Sequence, residues 1–164
     1  PSALLAARAA LGADAVIVAP GVGHVGTGTR FGFSGLEQAA ILDAVHALGG
    51  RAIAALRLSF ADARARHHGV SHHSLTILGR MTHARATVVV PVLPPDQTAI
   101  VNEQLAGLRD RHEVVTCDGE PALAFLARAN LRITSMGRGP EQDPAFFLAA
   151  GAAGVQAATR VGAS

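Results

Sequence analysis

The amino-acid sequence predicts an α/β domain: a three-layer, Rossmann-like open sheet of about five mostly parallel strands with helices on both faces. Short apolar, β-branched runs alternate along the whole chain with segments of helical periodicity. These runs are continuous rather than alternating in polarity, which is typical of parallel strands buried on both faces. No repeat, linker or low-complexity tract interrupts the order. Residues 1–164 are therefore expected to form one domain.

The helices are predicted from apolar spacing and from residues that start or stop a helix. Segment 34–48 begins with a capping box made by Ser34 and Glu37. Pro121 and Pro144 each suit the first turn of a later helix. The predicted helices cover residues 2–12, 34–48, 71–85, 96–111, 120–129 and 144–160.

The strands are predicted from the apolar runs between these helices. The run 15–19 (AVIVA) is continuous and β-branched, as in a strand covered on both faces. Pro91 lies within the run 87–93 and indicates a sheet edge or a strand end there. The predicted strands cover residues 15–19, 51–58, 87–93, 113–116 and 131–135.

The composition excludes several classes of protein. The 164 residues are 49% hydrophobic and 16% charged, which excludes intrinsic disorder. No apolar run is long enough to span a membrane. All 14 basic residues are scattered arginines and there is no Tyr or Trp, so no nucleic-acid surface is expected. Without Lys, Schiff-base chemistry and a P-loop are excluded.

The single cysteine and the N-terminal residues indicate the expected compartment of the protein. Cys117 has no partner for a disulfide and no basic neighbour in sequence, and we interpret it as a buried small residue rather than a nucleophile. No signal-peptide pattern is present, which favours a cytoplasmic protein. The chain begins with Pro1 inside a predicted helix, so we expect it to be a fragment of a longer chain.

Ligands of open parallel sheets bind beyond the carboxyl ends of the strands. In this chain glycines and polar side chains concentrate after the first, second and fifth predicted strands, at 20–35, 59–73 and 136–140. In the last of these segments Arg138 lies between two glycines, where a guanidinium can grip a phosphate or a carboxylate. Gly137 and Arg138 are therefore predicted to bind an anionic ligand.

The glycine-rich segment after the first predicted strand is interpreted as an anion cradle. Gly21, Gly23 and Gly26 match the spacing of the dinucleotide-binding fingerprint, but the next helix starts only at Ser34, too late to meet a pyrophosphate. Glycines still allow backbone N–H groups to converge on an anion, and hydroxyl groups add donors. The predicted ligand-binding residues are Gly26, Thr27, Gly28, Thr29 and Ser34, with Arg30 beside them.

Five of the eight histidines lie between residues 67 and 83, four of them as the adjacent pairs His67-His68 and His72-His73. Imidazole is the commonest metal ligand and a frequent general base. One interpretation is a metal site formed by Asp62, His67 and His72, with His73 as a further candidate. The other is metal-free catalysis by His72 or His73. The spacing matches no standard zinc signature, and adjacent side chains diverge, so we expect at most one histidine of each pair to face a common centre.

Six strings occur in the order of a known family: 21–29, 33–38, 48–51, 59–62, 69–76 and 136–140. Together they resemble the C-terminal half of the bacterial family of domains of unknown function numbered 3866, over nearly the whole chain. The resemblance implies a missing N-terminal part and names no reaction. His68 stands where Arg is expected in relatives, which makes it the least essential of the paired histidines. Phe31 and His24 also depart from the expected strings.

Three functions remain open from the sequence. The first is binding of a small phosphate- or carboxylate-bearing molecule at the carboxyl edge of the sheet, held by Gly26–Thr29 and Arg138, with His72 or His73 acting on it. The second is a metal-dependent hydrolase. The third is a non-catalytic subunit or regulatory module whose Ala-rich last helix packs against a partner, another copy of the chain included. The sequence identifies no cofactor.

Overall fold

The computed structural model describes residues 1–20 and 25–162. The helices are α1 (Ser2–Ala9), α2 (Glu37–Ala47), α3 (His72–Thr76), α4 (Pro95–Leu105), α5 (Glu120–Arg128) and α6 (Pro144–Val161). The strands are β1 (Ile53–Ala55), β2 (Leu58–Ser59), β3 (Gly69–Val70), β4 (Thr87–Pro91) and β5 (Glu113–Cys117). Short 3₁₀ turns occupy Ser34–Leu36, Ala65–His67 and Ala106–Leu108, and a π-helical turn, Ile77–Met81, continues α3.

The strands form two sheets. β1, β4 and β5 are parallel and lie in the order β1-β4-β5, with Thr87 of β4 opposite Ile53 on one side and opposite Glu113 on the other. β2 and β3 form a separate antiparallel pair in which Leu58 faces Val70. The α/β class and a parallel sheet joined by helices are thus confirmed.

The core lies where α6 packs against the parallel sheet. α6 contacts β1, β4 and β5, and also reaches β2. Small side chains on its buried face, such as Ala145 and Ala149, permit this close helix–sheet approach. The main cluster also contains apolar side chains from β2, β4 and α4: Leu58, Val88, Val90, Val101 and Leu105. Full burial of such a Val or Leu side chain contributes about 1.5–3 kcal/mol to the stability of the fold. The cluster therefore holds β2, β4, α4 and α6 together.

Two of the predicted strands are absent from the structure. Residues 15–19 and 131–135 form no strand, and Ile17 is 93% exposed. A β-branched run becomes a strand only when a neighbouring strand pairs with its backbone, and among the described residues none pairs with either segment beyond an isolated bridge at Ser135. The prediction of five strands in one open sheet is therefore corrected to three parallel strands and a small antiparallel pair.

Around the histidines, the structure divides the predicted strand and the predicted helix into shorter elements. The run 51–58 splits into β1 and β2, with Arg57 between them, and the polar stretch that follows contains β3. The helix predicted over 71–85 ends as an α-helix at Thr76. The start of α3 thereby lies against Arg57, in the junction between β1 and β2.

Among the described residues, no helix has both the length and the apolar character needed to cross a bilayer.

Candidate metal and anion site

Ser71 organises the segment that carries the paired histidines. It is the N-cap of α3, and its Oγ accepts a hydrogen bond from the His73 N–H at 3.3 Å. The same Oγ lies 2.8 Å from His67 Nδ1, and the Ser71 N–H donates to the Arg57 carbonyl at 2.9 Å. Serine caps helices because its hydroxyl replaces a missing backbone partner. One buried serine thus fixes His67, the first turn of α3 and the strand junction relative to each other.

His67, His72 and His73 form a compact three-histidine cluster. One ring nitrogen from each lies within 4.8 Å of the other two. The ring centroids are 5.0 Å apart for His67–His72, 5.2 Å for His67–His73 and 4.2 Å for His72–His73. Zinc–nitrogen bonds of about 2.0–2.1 Å in a tetrahedral site require nitrogens about 3.3 Å apart. The three nitrogens would therefore have to approach one another by up to about 1.5 Å to share one ion.

Both members of the second pair face His67, which corrects the expectation that adjacent histidines diverge. Neighbours on a helix differ by about 100° in direction, an angle that long imidazole side chains can bridge. The first pair does diverge: His67 is buried, whereas His68 is exposed and packs edge-on against Phe60 at 5.2 Å. His68 lies outside the cluster.

The environment favours the neutral form of His67 and His72. Burial, followed by the charges of Arg57 and Arg64, lowers the pKa of His67 to about 4. The pKa of His72 is also lowered, first by burial and then by Arg66. A neutral imidazole is the form that binds a metal. When His67 Nδ1 donates its hydrogen bond to Ser71, Nε2 keeps a lone pair for that purpose.

Asp62 does not join the ligand atoms, although the sequence suggested it as a ligand. Arg64 donates to both of its carboxylate oxygens, at 2.9 and 2.8 Å, and Arg57 Nη2 lies 3.5 Å from Oδ2. The hydrogen bonds from Arg64 hold the pKa of this carboxyl well below its usual range. Asp62 instead anchors the arginines beside the cluster. Within the described residues, the cluster of possible metal ligands contains histidines alone.

A second buried network joins the end of β2 and the residues that follow it to the segment before α6. Ser59 Oγ donates to Asp143 Oδ2 at 2.7 Å and accepts from the Asp62 N–H at 3.1 Å. Arg138 Nε donates to the same Asp143 oxygen at 3.3 Å. Gly137 precedes Arg138 with φ +78°, a left-handed conformation that suits glycine and shapes this turn. The structure thus connects Arg138 to Asp62 through two buried side chains.

The glycine-rich loop reaches the cluster through an aromatic ring rather than through its predicted anion donors. Phe33 is buried and stacks on His73 with a centroid distance of 4.1 Å. The Thr27 and Thr29 hydroxyls bond each other at 2.9 Å, and Ser34 Oγ accepts from the Val25 N–H at 3.2 Å. Gly26 pairs with Phe33, and Gly28 takes φ +78° in the turn.

The predicted anion site is therefore only partly assembled. Among the described residues, no hydrogen bond or ion pair joins Gly26–Thr29 to Arg138. Gly21 and Gly23 of the fingerprint spacing lie outside the described residues. Arg138 is brought toward the histidine side of the molecule, whereas the threonines close their own loop.

Four site residues carry no functional signal in the sequence. Phe33 and Ser59 lie in predicted loops, and Ser71 and Asp143 stand where predicted helices begin. Arg57 offers one clue: it is the charged residue inside the run RAIAALRL, which Arg51 begins. A charge in a buried strand requires a partner, so that position is informative.

Fold and site together define an α/β domain with a partly buried three-histidine cluster bordered by arginines. The chain belongs to the family described as "Protein of unknown function (DUF3866)", whose family model matches residues 1–154. Searches of curated proteins and of solved structures each found no significant match.

Proposed function

We propose that this chain binds one divalent transition-metal ion of the zinc class through His67, His72 and His73 and acts as a metal-dependent hydrolase. The observation that carries the proposal is the convergence of three ring nitrogens within 4.8 Å. Three protein ligands with a fourth position open to water are the usual arrangement of a catalytic zinc site, whereas structural sites use four.

The protein's own residues supply orientation and charge. Ser71 holds His67, and Phe33 stacks on His73, so two of the three imidazoles are restrained before any ion arrives. Restrained ligands bind metals more tightly because less side-chain freedom is lost. The partial exposure of His72 and His73 leaves a route for solvent and substrate.

The bound ion would lower the pKa of a coordinated water to about 7. In the hydrolytic step, the water oxygen forms a bond to the electrophilic carbon or phosphorus. The bond to the leaving group breaks, and the leaving group takes the proton released by the water. In this assignment His72 and His73 are ligands rather than proton carriers.

The test is metal binding by variants at matched positions. Untagged protein is stripped with a chelator, loaded with zinc or cobalt, desalted and measured by elemental analysis. We expect about one ion per chain in the unaltered protein, and at least a tenfold loss of affinity in His72→Ala and His73→Ala. Both residues are partly exposed, so the variants should fold, which circular dichroism checks.

His68→Ala is the matched control because it removes an exposed neighbouring imidazole outside the cluster. It should retain the metal. Equal metal content in His68→Ala and His72→Ala, or no metal in the unaltered protein, would overturn the proposal.

A further inference from the structure

Arginines surround the three-histidine cluster. Arg57 donates its backbone N–H to Ser74 of α3, and Arg57 and Arg64 both contact Asp62. Arg66 directly precedes His67 in the same 3₁₀ turn. A protein that only needed to hold a cation would not place several cations next to the ligands, because like charges repel. This arrangement of arginines favours the binding of an anion beside the histidines and their metal ion.

Arg57 is the arginine most firmly attached to the cluster. Its N–H donates to Ser74 Oγ at 3.0 Å, and its carbonyl accepts from the Ser71 N–H at 2.9 Å, so its backbone is fastened to α3. Its side chain is three-quarters buried, and its contact with Asp62 is long, at 3.5 Å. Among the described residues, its buried Nε has no hydrogen-bond partner. The guanidinium is held in place with donor capacity that the protein does not use.

Arg138 adds a second guanidinium to the same region. Ser59 joins its partner Asp143 to the N–H of Asp62, whose carboxylate Arg57 contacts, so both arginines border one buried network. One edge of Arg138 is oriented by Asp143, which Ser59 holds in turn. About a quarter of the Arg138 side chain is exposed, which leaves part of the guanidinium open to solvent.

The charges of this region do not balance. Four arginines, Arg57, Arg64, Arg66 and Arg138, stand against two carboxylates, Asp62 and Asp143. The excess of positive charge rises further when a divalent ion binds. A dianion compensates this excess better than a monoanion does.

We propose that Arg57 and Arg138 bind the phosphate group of a small phosphorylated substrate beside the three-histidine metal, and that metal and phosphate each strengthen the binding of the other. This inference rests on the proposed function. Guanidinium groups suit phosphate because their forked donors match its oxygens. A carboxylate has the same hydrogen-bonding chemistry but half the charge, so it should bind more weakly.

The mutual dependence follows from electrostatics. Without an anion, the arginines oppose entry of the divalent ion, and without the ion, part of the attraction for phosphate is missing. Coupling between two binding sites is reciprocal, so each ligand must change the affinity of the other by the same factor. Couplings of this kind usually amount to about fivefold to 150-fold.

The experiment titrates chelator-treated protein with cobalt(II), followed by its visible absorption, in the presence and absence of inorganic phosphate. Acetate at the same ionic strength is the second arm. We expect phosphate to raise the cobalt affinity at least fivefold and acetate to raise it less. A calorimetric titration of inorganic phosphate, with and without cobalt, should give the same factor.

Variants separate this inference from the proposed function. Arg57→Met and Arg138→Met should still bind cobalt but lose most of the phosphate effect. Arg128→Met, an exposed arginine of α5, is the control and should retain the effect.

Cobalt binding with an unchanged phosphate effect in Arg57→Met and Arg138→Met would overturn the arginine assignment and leave the metal site standing. An acetate effect as large as that of phosphate would overturn the substrate class. Absence of cobalt binding, with or without phosphate, would overturn the proposed function itself.

Discussion

His67 shows at the scale of a single residue how burial selects a protonation state. Its side chain is 2% exposed, and desolvation of the charged form lowers its pKa from 6.5 to about 4. Asp62 is shifted in the same direction for a different reason, since hydrogen bonds from Arg64 stabilise its carboxylate. Both side chains therefore bind protons less readily in the folded protein than in the unfolded chain.

This difference predicts how stability depends on pH in the metal-free protein. Between about pH 6.5 and pH 4 the unfolded chain takes a proton at His67 and the folded protein does not, so the free energy of unfolding falls as the pH falls. Below about pH 4, protonation of Asp62 in the unfolded chain extends the loss. Urea titrations at pH 7, 5.5 and 4.5 measure the slope.

His67→Gln should reduce this slope, and His68→Ala should keep most of it. A free energy of unfolding in the unaltered protein that is constant from pH 7 to 4.5 would contradict the prediction. The sign matters for function as well, because a His67 that stays neutral remains available to a metal under mildly acidic conditions.

At the scale of elements, the close packing of α5 against α6 decides which glycines of α6 tolerate a larger side chain. Gly151 of α6 faces Gly119 and α5 so closely that an added Cβ would lie 2.7 Å from the Gly119 carbonyl oxygen and 2.7 Å from Ala122 Cβ. A Cβ at Gly154, one turn further on, would meet nothing within 4 Å. The small residues of α6 therefore have different roles, although the sequence shows only an Ala- and Gly-rich helix.

These two glycines form a matched pair for a stability measurement. Gly154→Ala should stabilise the protein by up to about 1 kcal/mol, because alanine favours the helix. Gly151→Ala gains the same propensity but must displace backbone, and overpacking costs about 1–3 kcal/mol, so the variant should be less stable than the unaltered protein. Urea denaturation of both variants gives the comparison. Equal stabilisation by the two substitutions would show that α5 and α6 are not packed as described.

At the scale of the whole molecule, burial separates the apolar runs that belong to the core from those that do not. Leu58 is fully buried in the main cluster, whereas Ile17 is 93% exposed. Both lie in runs that the sequence predicts as strands. Only the long-range contacts of the folded chain distinguish them.

A pair of alanine substitutions tests this difference. Leu58→Ala should cost about 2–5 kcal/mol of unfolding free energy through lost burial and a cavity. Ile17→Ala should change it by less than about 0.5 kcal/mol, as exposed substitutions usually do. Thermal or urea unfolding of the two variants measures both values. A loss at Ile17 comparable to that at Leu58 would mean that segment 15–19 is a buried strand, as the sequence predicts.

Much of the fold could be predicted because its signals are local. α2, α4, α5 and α6 lie within a few residues of their predicted ranges, since prolines and apolar spacing act within one or two turns. β4 and β5 coincide with predicted strands for the same reason. The capping box predicted at Ser34 and Glu37 is not formed, because α2 begins at Glu37 without a side-chain cap hydrogen bond. At the site, the concentration of histidines is visible in the sequence, and so is the glycine-flanked Arg138.

The sequence by itself determined the α/β class, most of the helices and the segments that hold the candidate ligands. Only the tertiary structure decided which apolar runs pair as strands, that both His72 and His73 turn toward His67, and that Arg57 joins them. The physical reason is that strand pairing and side-chain convergence depend on partners distant in sequence. A β-branched run is stable as a strand only where another strand satisfies its backbone, and histidines can share one ion only where the fold brings their ring nitrogens together.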